Sequence, residues 1–435
     1  MAEVRPFRAL RYNTHDPLSL ALVTAPPYDC ISPQQQRELQ RAHPHNVVRL
    51  ILGENKAGDD DTHNRYTRAA EFLQAWEDEG ILVRDADPSL YFYQQEFRVE
   101  GTVYVREGVL ARVGLEEFGT GKVFPHEETM DAPRQDRLRL TRTIRANLSP
   151  IFSVYPDPEN TVTELFHEAI HCDPLMQLMD SDGVIHRLYA SCDEGLAERV
   201  AEAMAGVPLY IADGHHRYEV AQAYRRELIE KGHDVDEEHP AASVLMLCVS
   251  MHHPGLAVLP SHRVLRGVPG LATDRLREAS AEHFTWQEFG GAEATSPRLA
   301  ERLRDAPDHS FGLWTRDTSG AFLLTLKQND VMDRLAPEMS DGWRRLDVAI
   351  LERVFLGADL PRAVGGADGL QRDYVHLAQD AFDAVHEDGA DAAVLLKPLP
   401  VSSLADVAGS GERMPPKSTY FYPKALSGLV INPLD

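Results

Sequence analysis

The chain is poor in three things, and each absence removes a class of function. Cysteine occurs four times in 435 residues, at Cys30, Cys172, Cys192 and Cys248. The four are far apart and form no CxxC pair. That excludes a disulfide framework and a thiolate zinc site, and leaves buried or neutral thiols as the expectation. Long apolar runs are missing too. No stretch approaches the ~20 apolar residues of a membrane helix, and the start MAEVRPFRALRYN has no apolar core of a secretory leader. Positive charge is the third shortage. Lys plus Arg total 44 against 68 Asp plus Glu, a formal net charge of −24. Such a balance argues against non-specific binding to nucleic acid or to an anionic membrane, though not against a small basic pocket. The expectation is a soluble, acidic, cytoplasmic protein. Lysine itself is scarce. Only seven of the basic residues are Lys, and Lys122, Lys417 and Lys424 stand inside the unusual segments described next. Lysine is a compact charge suited to phosphate.

What remains is ordinary globular material, 43% hydrophobic and 26% charged. No internal repeat or low-complexity tract is present. The pattern predicts a helix after Ser32 with Pro33 at its first position. It predicts an amphipathic helix over 64–82 and a hairpin of SLYFYQQEFRVEG and TVYVREGVLARVGL turning at Glu100-Gly101. VPLYIA and AASVLMLCVS read as buried strands. HHRYEVAQAYRRELIEKG reads as a helix, and 270–395 carries several helical patterns, RRLDVAILERVFLGADL among them. Alternating strands and helices predict a mixed α/β (α+β) chain. We divide it into an N-terminal α/β region (1–155), a central region (156–270) and a C-terminal α/β region (271–435).

Four segments carry chemistry. The sharpest is Leu209-Tyr210-Ile211-Ala212-Asp213-Gly214-His215-His216-Arg217. A buried strand runs into Asp-Gly and a helix starts at once. Asp213 is placed to cap that helix, Gly214 lets a ligand approach the backbone, and the helix end offers N–H groups and a positive dipole. His215, His216 and Arg217 add donors, which makes a phosphate site. A metal site completed by His252-His253 is the rival. The spacing is not that of a zincin helix, and His252-His253 alone reads as a strand-end surface pair. No metal ligands are assigned.

The second segment is Lys122-Val123-Phe124-Pro125-His126-Glu127-Glu128-Thr129, followed by Asp136-Arg137. Glu127 beside His126 can work as a general base, and Arg137 can grip a carboxylate or phosphate. A polar loop with local ion pairs fits the same residues. The third is Arg413-Met414-Pro415-Pro416-Lys417-Ser418-Thr419-Tyr420-Phe421-Tyr422-Pro423-Lys424. It ends like a P-loop but lacks the glycine run, so it is no Walker site. Lys417, Ser418, Thr419 and Lys424 could face an anion or simply lie on the surface. The fourth, Ala25-Pro26-Pro27-Tyr28-Asp29, fixes Tyr28 and Asp29 in a stiff turn, for structure or for substrate.

Together RPFRALRY, APPYDC, PHEETMDAPRQDR with NLSPIF, IADGHHRYEVA and MPPKSTYFYPKALSGLV resemble the uncharacterised family called domain of unknown function 1015. They occur in family order from residue 5 to 430. The Asp-Gly-His-His-Arg turn is also similar to the phosphate loop of the free serine kinases of the ParB/sulfiredoxin-like fold. This second resemblance implies a ParB/sulfiredoxin-like phosphate-binding core with added α/β elements. It implies transfer of a phosphoryl group to free L-serine, with ATP or ADP and Mg²⁺ as cofactors. Asp213, Gly214, His215, His216 and Arg217 would then contact phosphate. Glu127 or His126 would take the hydroxyl proton, with Asp29 as the next candidate. Lys122, Arg137, Lys417 and Lys424 would neutralise charge. Serine or phosphoserine and a nucleotide are the expected partners, with no nucleic acid and no membrane. A phosphoserine hydrolase and a non-catalytic sensor of nucleotide or phospho-metabolite are the alternatives.

Overall fold

The computed structural model describes residues 3–14, 19–128, 131–268, 270–366 and 369–435. Within them the chain forms two compact units. The first comprises Met1–Pro125, Thr129–Ala257 and Pro423–Asp435; the second comprises His126–Glu128 and Val258–Tyr422. The mixed α/β class read from the sequence is the class observed. The N-terminal and central sequence regions contribute strands to one and the same sheet, and the last thirteen residues also belong to that unit.

The sheet of the first unit has nine strands: β1 (Val4–Arg5), β2 (Leu90–Val99), β3 (Thr102–Gly114), β4 (Val123–Pro125), β5 (Ile151–Tyr155), β6 (Met176–Met179), β7 (Ile185–Ser191), β8 (Leu209–Asp213) and β9 (Ser243–Ser250). Their order is β4-β8-β5-β9-β3-β2-β7-β6, with β1 paired to β3. Two pairs, β4 with β8 and β5 with β9, are parallel; the rest are antiparallel. The β2–β3 hairpin turns where expected. Glu100 (φ 48°) and Gly101 (φ 85°) both adopt the left-handed geometry that a two-residue hairpin loop requires. Central strands β5, β8 and β9 are almost wholly buried, which is why they read as unbroken apolar runs.

Side-chain caps start several helices of this unit. In α1 (Pro33–Ala42) the Ser32 hydroxyl accepts the Gln35 N–H at 3.2 Å. In α2 (Arg65–Asp78) Asn64 and Thr67 close a reciprocal capping box. Next come α3 (Asp131–Ile144), α4 (Thr161–Ala169), α5 (Glu194–Met204) and α6 (His215–Glu230). Arg142 of α3 and Glu227 of α6 pair side to side, with Nε 2.7 Å from Oε2. The core joins Phe92, Val109, Ile151, Phe166, Val200 and Met246.

The second unit is a six-stranded, wholly antiparallel sheet of β10 (His262–Arg266), β11 (Phe284–Phe289), β12 (Ser310–Thr315), β13 (Ala321–Leu326), β14 (Gln371–Val375) and β15 (Ala392–Leu395), ordered β11-β13-β12-β15-β10-β14. Five of these strands lie within 270–395, between the helical patterns that the sequence shows there. Each has only four to six residues, too few for the alternation to stand out from a helical face. The stretch read as helix near residue 350 is helical, and it widens into a π-turn over Leu351–Asp359. Trp314 is fully buried, its indole N–H donating to the Ala294 carbonyl at 3.0 Å. Among the described residues no helix is long and apolar enough to cross a membrane.

Candidate functional site

Strand β8 does not run straight into α6. Ile211 pairs with Ser153 and Asp213 with Phe152, so Ala212 is an extra residue, a β-bulge that re-aims the strand end. Gly214 follows at φ 96° and is the N-cap of α6. A Cβ there would fall 2.9 Å from the Arg217 guanidinium carbon, so any other residue is strained at this φ and must push the guanidinium aside. The Tyr218 N–H donates to the Gly214 carbonyl at 3.1 Å, and Tyr218 is anchored by its hydroxyl to both backbone groups of Glu116 at 2.9 Å. The first turn of α6 therefore sits in a fixed place with the positive end of its dipole at the bulge.

Asp213 does not cap this helix, contrary to expectation. Gly214 occupies the cap position, which puts the Asp213 carboxylate one residue too early to reach the first turn. It accepts instead from two cations. Lys424 Nζ lies 2.5 Å from Oδ1, and the Arg217 guanidinium binds Oδ2. Arg217 also donates to the Pro150 carbonyl. Burial alone would raise the Asp213 carboxyl; the Lys424 and Arg217 charges outweigh it and hold it well below the usual carboxylate range. Burial likewise disfavours the Arg217 charge, and Asp213 together with Asp29, Tyr28 and Cys30 more than offsets it, so its pKa rises.

A second cation layer lies in the same unit. Arg137 of α3 is buried, its guanidinium 4.1 Å from the centre of the Tyr28 ring. Arg137 Nε donates to Asp136 at 2.7 Å, and Nη1 donates to the Ile51 carbonyl. Asp136 also takes Tyr66 Oη at 2.7 Å and the Arg65 guanidinium. Burial, reinforced by Asp29, pushes the Tyr28 hydroxyl up to about 12. Between these groups is a cavity of about 60 Å³ with Tyr28, Arg137, Thr141, Asn147, Ser149 and Arg217 in its walls. A water needs about 10–15 Å³ of such space, so the cavity holds a few waters or one small polar group, and Ile51, Leu140, Leu148, Val220 and Val244 make the apolar part of its wall.

The structure thus brings Tyr28, Asp29, Arg137, Asp213, Gly214, Arg217 and Lys424 into one neighbourhood of the first unit. His215 is buried and His216 half-buried on the first turn of α6. Lys122 is exposed, its carbonyl taking the Leu209 N–H at 2.8 Å.

The remaining candidates belong to the second unit. His126 is fully buried, with Nε2 3.0 Å from Thr419 Oγ1 and 3.8 Å from Glu127 Oε1. The Met414 N–H donates to the His126 carbonyl at 2.8 Å. Ser418 is buried and donates to the Pro415 carbonyl at 2.5 Å, which closes a turn. Lys417 is exposed with φ 58°. Thr129 lies outside the described residues.

Three residues escaped the sequence reading. Cys30 is exposed as a residue, as are Cys172 and Cys192, while Cys248 alone is buried. The Cys30 sulfur is nonetheless desolvated beside Asp29 and Asp213, which pushes the thiol up to about 12. Gln95 and Arg106 are fully buried beneath the Lys424 backbone, and only their polar character at inward strand positions hinted at it. Of the His252-His253 pair, read as lying on the surface, His252 is exposed and His253 is not. His253 is buried, with Nε2 3.5 Å from Glu107, which His167 also contacts at 3.0 Å. Among the described residues no three His, Cys, Asp or Glu side chains are grouped to hold a metal ion.

A family described as "Protein of unknown function (DUF1015)" matches residues 4–349. No curated protein matches the chain. Among solved structures, the chain is similar to a free serine kinase mutant in complex with ADP, at 11% identity and TM-score 0.34, over 71% of this chain and 89% of that one. It is similar to a conserved hypothetical protein from Pyrococcus furiosus, at 13% identity and TM-score 0.31, over 69% and 87%. It is also similar to SbnI with C-terminal truncation from Staphylococcus aureus, at 14% identity and TM-score 0.34, over 74% and 86%.

Proposed function

The chain belongs to the DUF1015 family of proteins of unknown function, and on that premise we propose that it is a small-molecule phosphotransferase with a hydroxy amino acid, free L-serine, as acceptor. The ParB/sulfiredoxin-like core implied by the Asp-Gly-His-His-Arg turn is part of this reading. One observation carries it: a strand-bulge-glycine-helix turn whose single carboxylate, Asp213, is bound by both Arg217 and Lys424. Two cations, Arg137 and Arg217, stand in the cavity wall, each paired with a carboxylate, Asp136 and Asp213.

Phosphoryl transfer needs positioning and charge neutralisation more than covalent help. Arg217, Lys424 and the first turn of α6 supply both. Asp213 is too weak a base to accept a hydroxyl proton. Its work is to hold the two cations in place. Within the first unit the candidate proton acceptor is Asp29, whose charge acts on Tyr28 and Arg217, and Asp29→Asn tests it; Glu127 and His126, the other sequence candidates, belong to the second unit. The cations suit the phosphates of ATP or ADP. Mg²⁺ bound to such phosphates takes most of its ligands from phosphate and water, and asks at most one or two carboxylates of the chain.

The test is a matched incubation of the protein with L-serine, Mg²⁺ and either ATP or ADP, read by mass spectrometry for O-phosphoserine. Product that grows with time and enzyme, and disappears in Asp213→Asn, supports the reading and names the donor. No product, with thermal protection by serine or phosphoserine, points to a sensor or a hydrolase. Neither product nor protection overturns the substrate assignment.

A further inference from the structure

Lys424 reaches Asp213 from a place 211 residues further along the chain. Its backbone must therefore be fixed before its amine can be. The segment that carries it lies on the first unit's sheet, against an unusual row of side chains. His186 of β7, Gln95 of β2 and Arg106 of β3 stand directly opposite one another across neighbouring strands. All three are 1% exposed. A buried polar row of this kind is expensive unless each member is bonded.

The bonds converge on the segment. Arg106 Nη2 donates to the Pro423 carbonyl at 2.5 Å and also to Gln95 Oε1. Gln95, its oxygen so occupied, turns its Nε2 to the Lys424 carbonyl at 3.1 Å. Two consecutive carbonyls are thus taken by two cross-strand partners. Tyr93, two residues before Gln95 and on the same face of β2, receives the Leu426 N–H at 3.5 Å. Its hydroxyl is held by His186 Nδ1 at 2.6 Å, and His186 Nε2 by Asp180 at 2.9 Å. The Phe152 ring, 4.6 Å below the Arg106 guanidinium, completes the seat.

We propose that Gln95 and Arg106 are positioning residues, a backbone clamp that sets Lys424 against Asp213 and so forms the anion site. The clamp's geometry stands by itself; its consequence for ligand binding rests on the anion-site reading above. An apolar pair at these two positions would pack as well and bury no charge. The sheet instead keeps a charged and an amide side chain, and their donors go to the segment bearing Lys424. Arg217, already on α6, needs no such device.

The chain has only seven lysines, so the reactivity of Lys424 is easily read. The experiment is timed acylation with an amine reagent, analysed by peptide mass spectrometry, on wild type, Gln95→Leu, Arg106→Lys and Val200→Ala. Val200 is buried in the same core away from the segment and controls for general loosening. Gln95→Leu is expected to raise the Lys424 rate at least fivefold and to weaken binding of inorganic phosphate about tenfold. Arg106→Lys keeps a donor for the Pro423 carbonyl and is expected to fall between Gln95→Leu and wild type. Val200→Ala is expected to leave Lys424 within twofold of wild type. A Lys424 rate unchanged in folded Gln95→Leu and Arg106→Lys overturns the clamp. A raised rate with phosphate affinity intact upholds the clamp and removes the anion-site reading. Val200→Ala raising the rate as much as Gln95→Leu also overturns the clamp, because loosening alone would then free the lysine.

Discussion

In the second unit the buried charges close on one another. Arg263, wholly buried in β10, stacks on Tyr374 and meets Glu352 at 3.4 Å, and Arg372 completes that carboxylate at 2.5 Å. His283 pairs with the fully buried Asp359 at 2.8 Å, and His309 with Asp347 at 2.8 Å. In the first unit the buried cations converge instead on a strand-to-helix turn, a segment from far along the chain and a small cavity. Pairs that satisfy themselves specify a fold. A carboxylate shared by two cations occurs in both units, Glu352 in the second and Asp213 in the first; what the first adds is the glycine turn that follows Asp213 and a cavity with Arg217 in its wall. The sheets follow the same division. The antiparallel sheet covers an apolar core, while the mixed sheet gathers polar groups where β8 ends in a bulge.

The largest expected difference comes from removing the shared carboxylate. Asp213→Asn leaves Arg217 and Lys424 facing each other in a buried place, a loss of about 3–5 kcal/mol for breaking a buried pair. Transfer should fall at least a hundredfold. Lys424→Met in the same background should recover part of the stability and none of the activity. Urea denaturation and the serine incubation measure the two effects, and full activity in Asp213→Asn would erase the distinction drawn between the units.

Acid should separate the units next. Burial, helped by the His376 and Arg263 charges, pushes His262 in the second unit down to about 3. A lowered histidine contributes stability that is complete above its unfolded value near 6.5 and is lost as pH falls toward 3, by up to about 1.4 kcal/mol per unit. In the first unit burial would raise Glu107, but hydrogen bonds from His253, Gln94 and His167 hold it at about 2. Its contribution is complete above its ordinary value near 4.5 and is lost only as pH falls from there toward 2. Asp213 acts in the same sense. His186 of the first unit is also lowered by burial, opposed by Asp180, and adds a limb below 6.5 there. Three of the four tryptophans, Trp286, Trp314 and Trp343, belong to the second unit, so fluorescence reports chiefly on it. Its urea midpoint should drop between pH 6.5 and 4.5, and His262→Asn should flatten that drop. An unchanged slope in the variant would remove His262 as the cause.

Two glycines sharpen the contrast. Gly214 and Gly411 both have positive φ, 96° and 77°, yet a Cβ meets the Arg217 guanidinium at the first and nothing within 4 Å at the second. Gly411→Ala should cost about 1–2 kcal/mol, the ordinary left-handed penalty. Gly214→Ala should add displacement of Arg217 and a severalfold loss of phosphate affinity, read by titration calorimetry. Equal effects on affinity would mean the Gly214 turn is only a turn. The smallest change is at exposed Lys417, φ 58° in the second unit. Lys417→Gly should stabilise by about 0.5–1 kcal/mol through its backbone. An activity loss beyond twofold would show that the side chain matters.

Much of the first unit was legible in the residues. Ser32-Pro33 marks a helix start, Glu100-Gly101 marks a hairpin, and Asp-Gly after VPLYIA marks the turn into α6, because each is written in adjacent positions. The strands of 284–326 were not, since runs of six half-apolar residues fit either period. The site divides in the same way. Asp213, Gly214 and Arg217 were visible as a motif. Their bond to Lys424, the stacking of Arg137 on Tyr28 and the clamp of Gln95 and Arg106 depend on sheet register and on a segment more than two hundred residues away. Gly214, left-handed at the N-cap, takes the position that spacing alone assigned to Asp213.

The most direct test of the anion site is titration calorimetry of the full chain with inorganic phosphate, comparing wild type with Lys424→Met and Arg217→Met. Saturable binding that weakens at least tenfold in both variants, with the fold intact, is the expected result. Binding that is absent in wild type, or unchanged when both cations are removed in turn, would contradict the account.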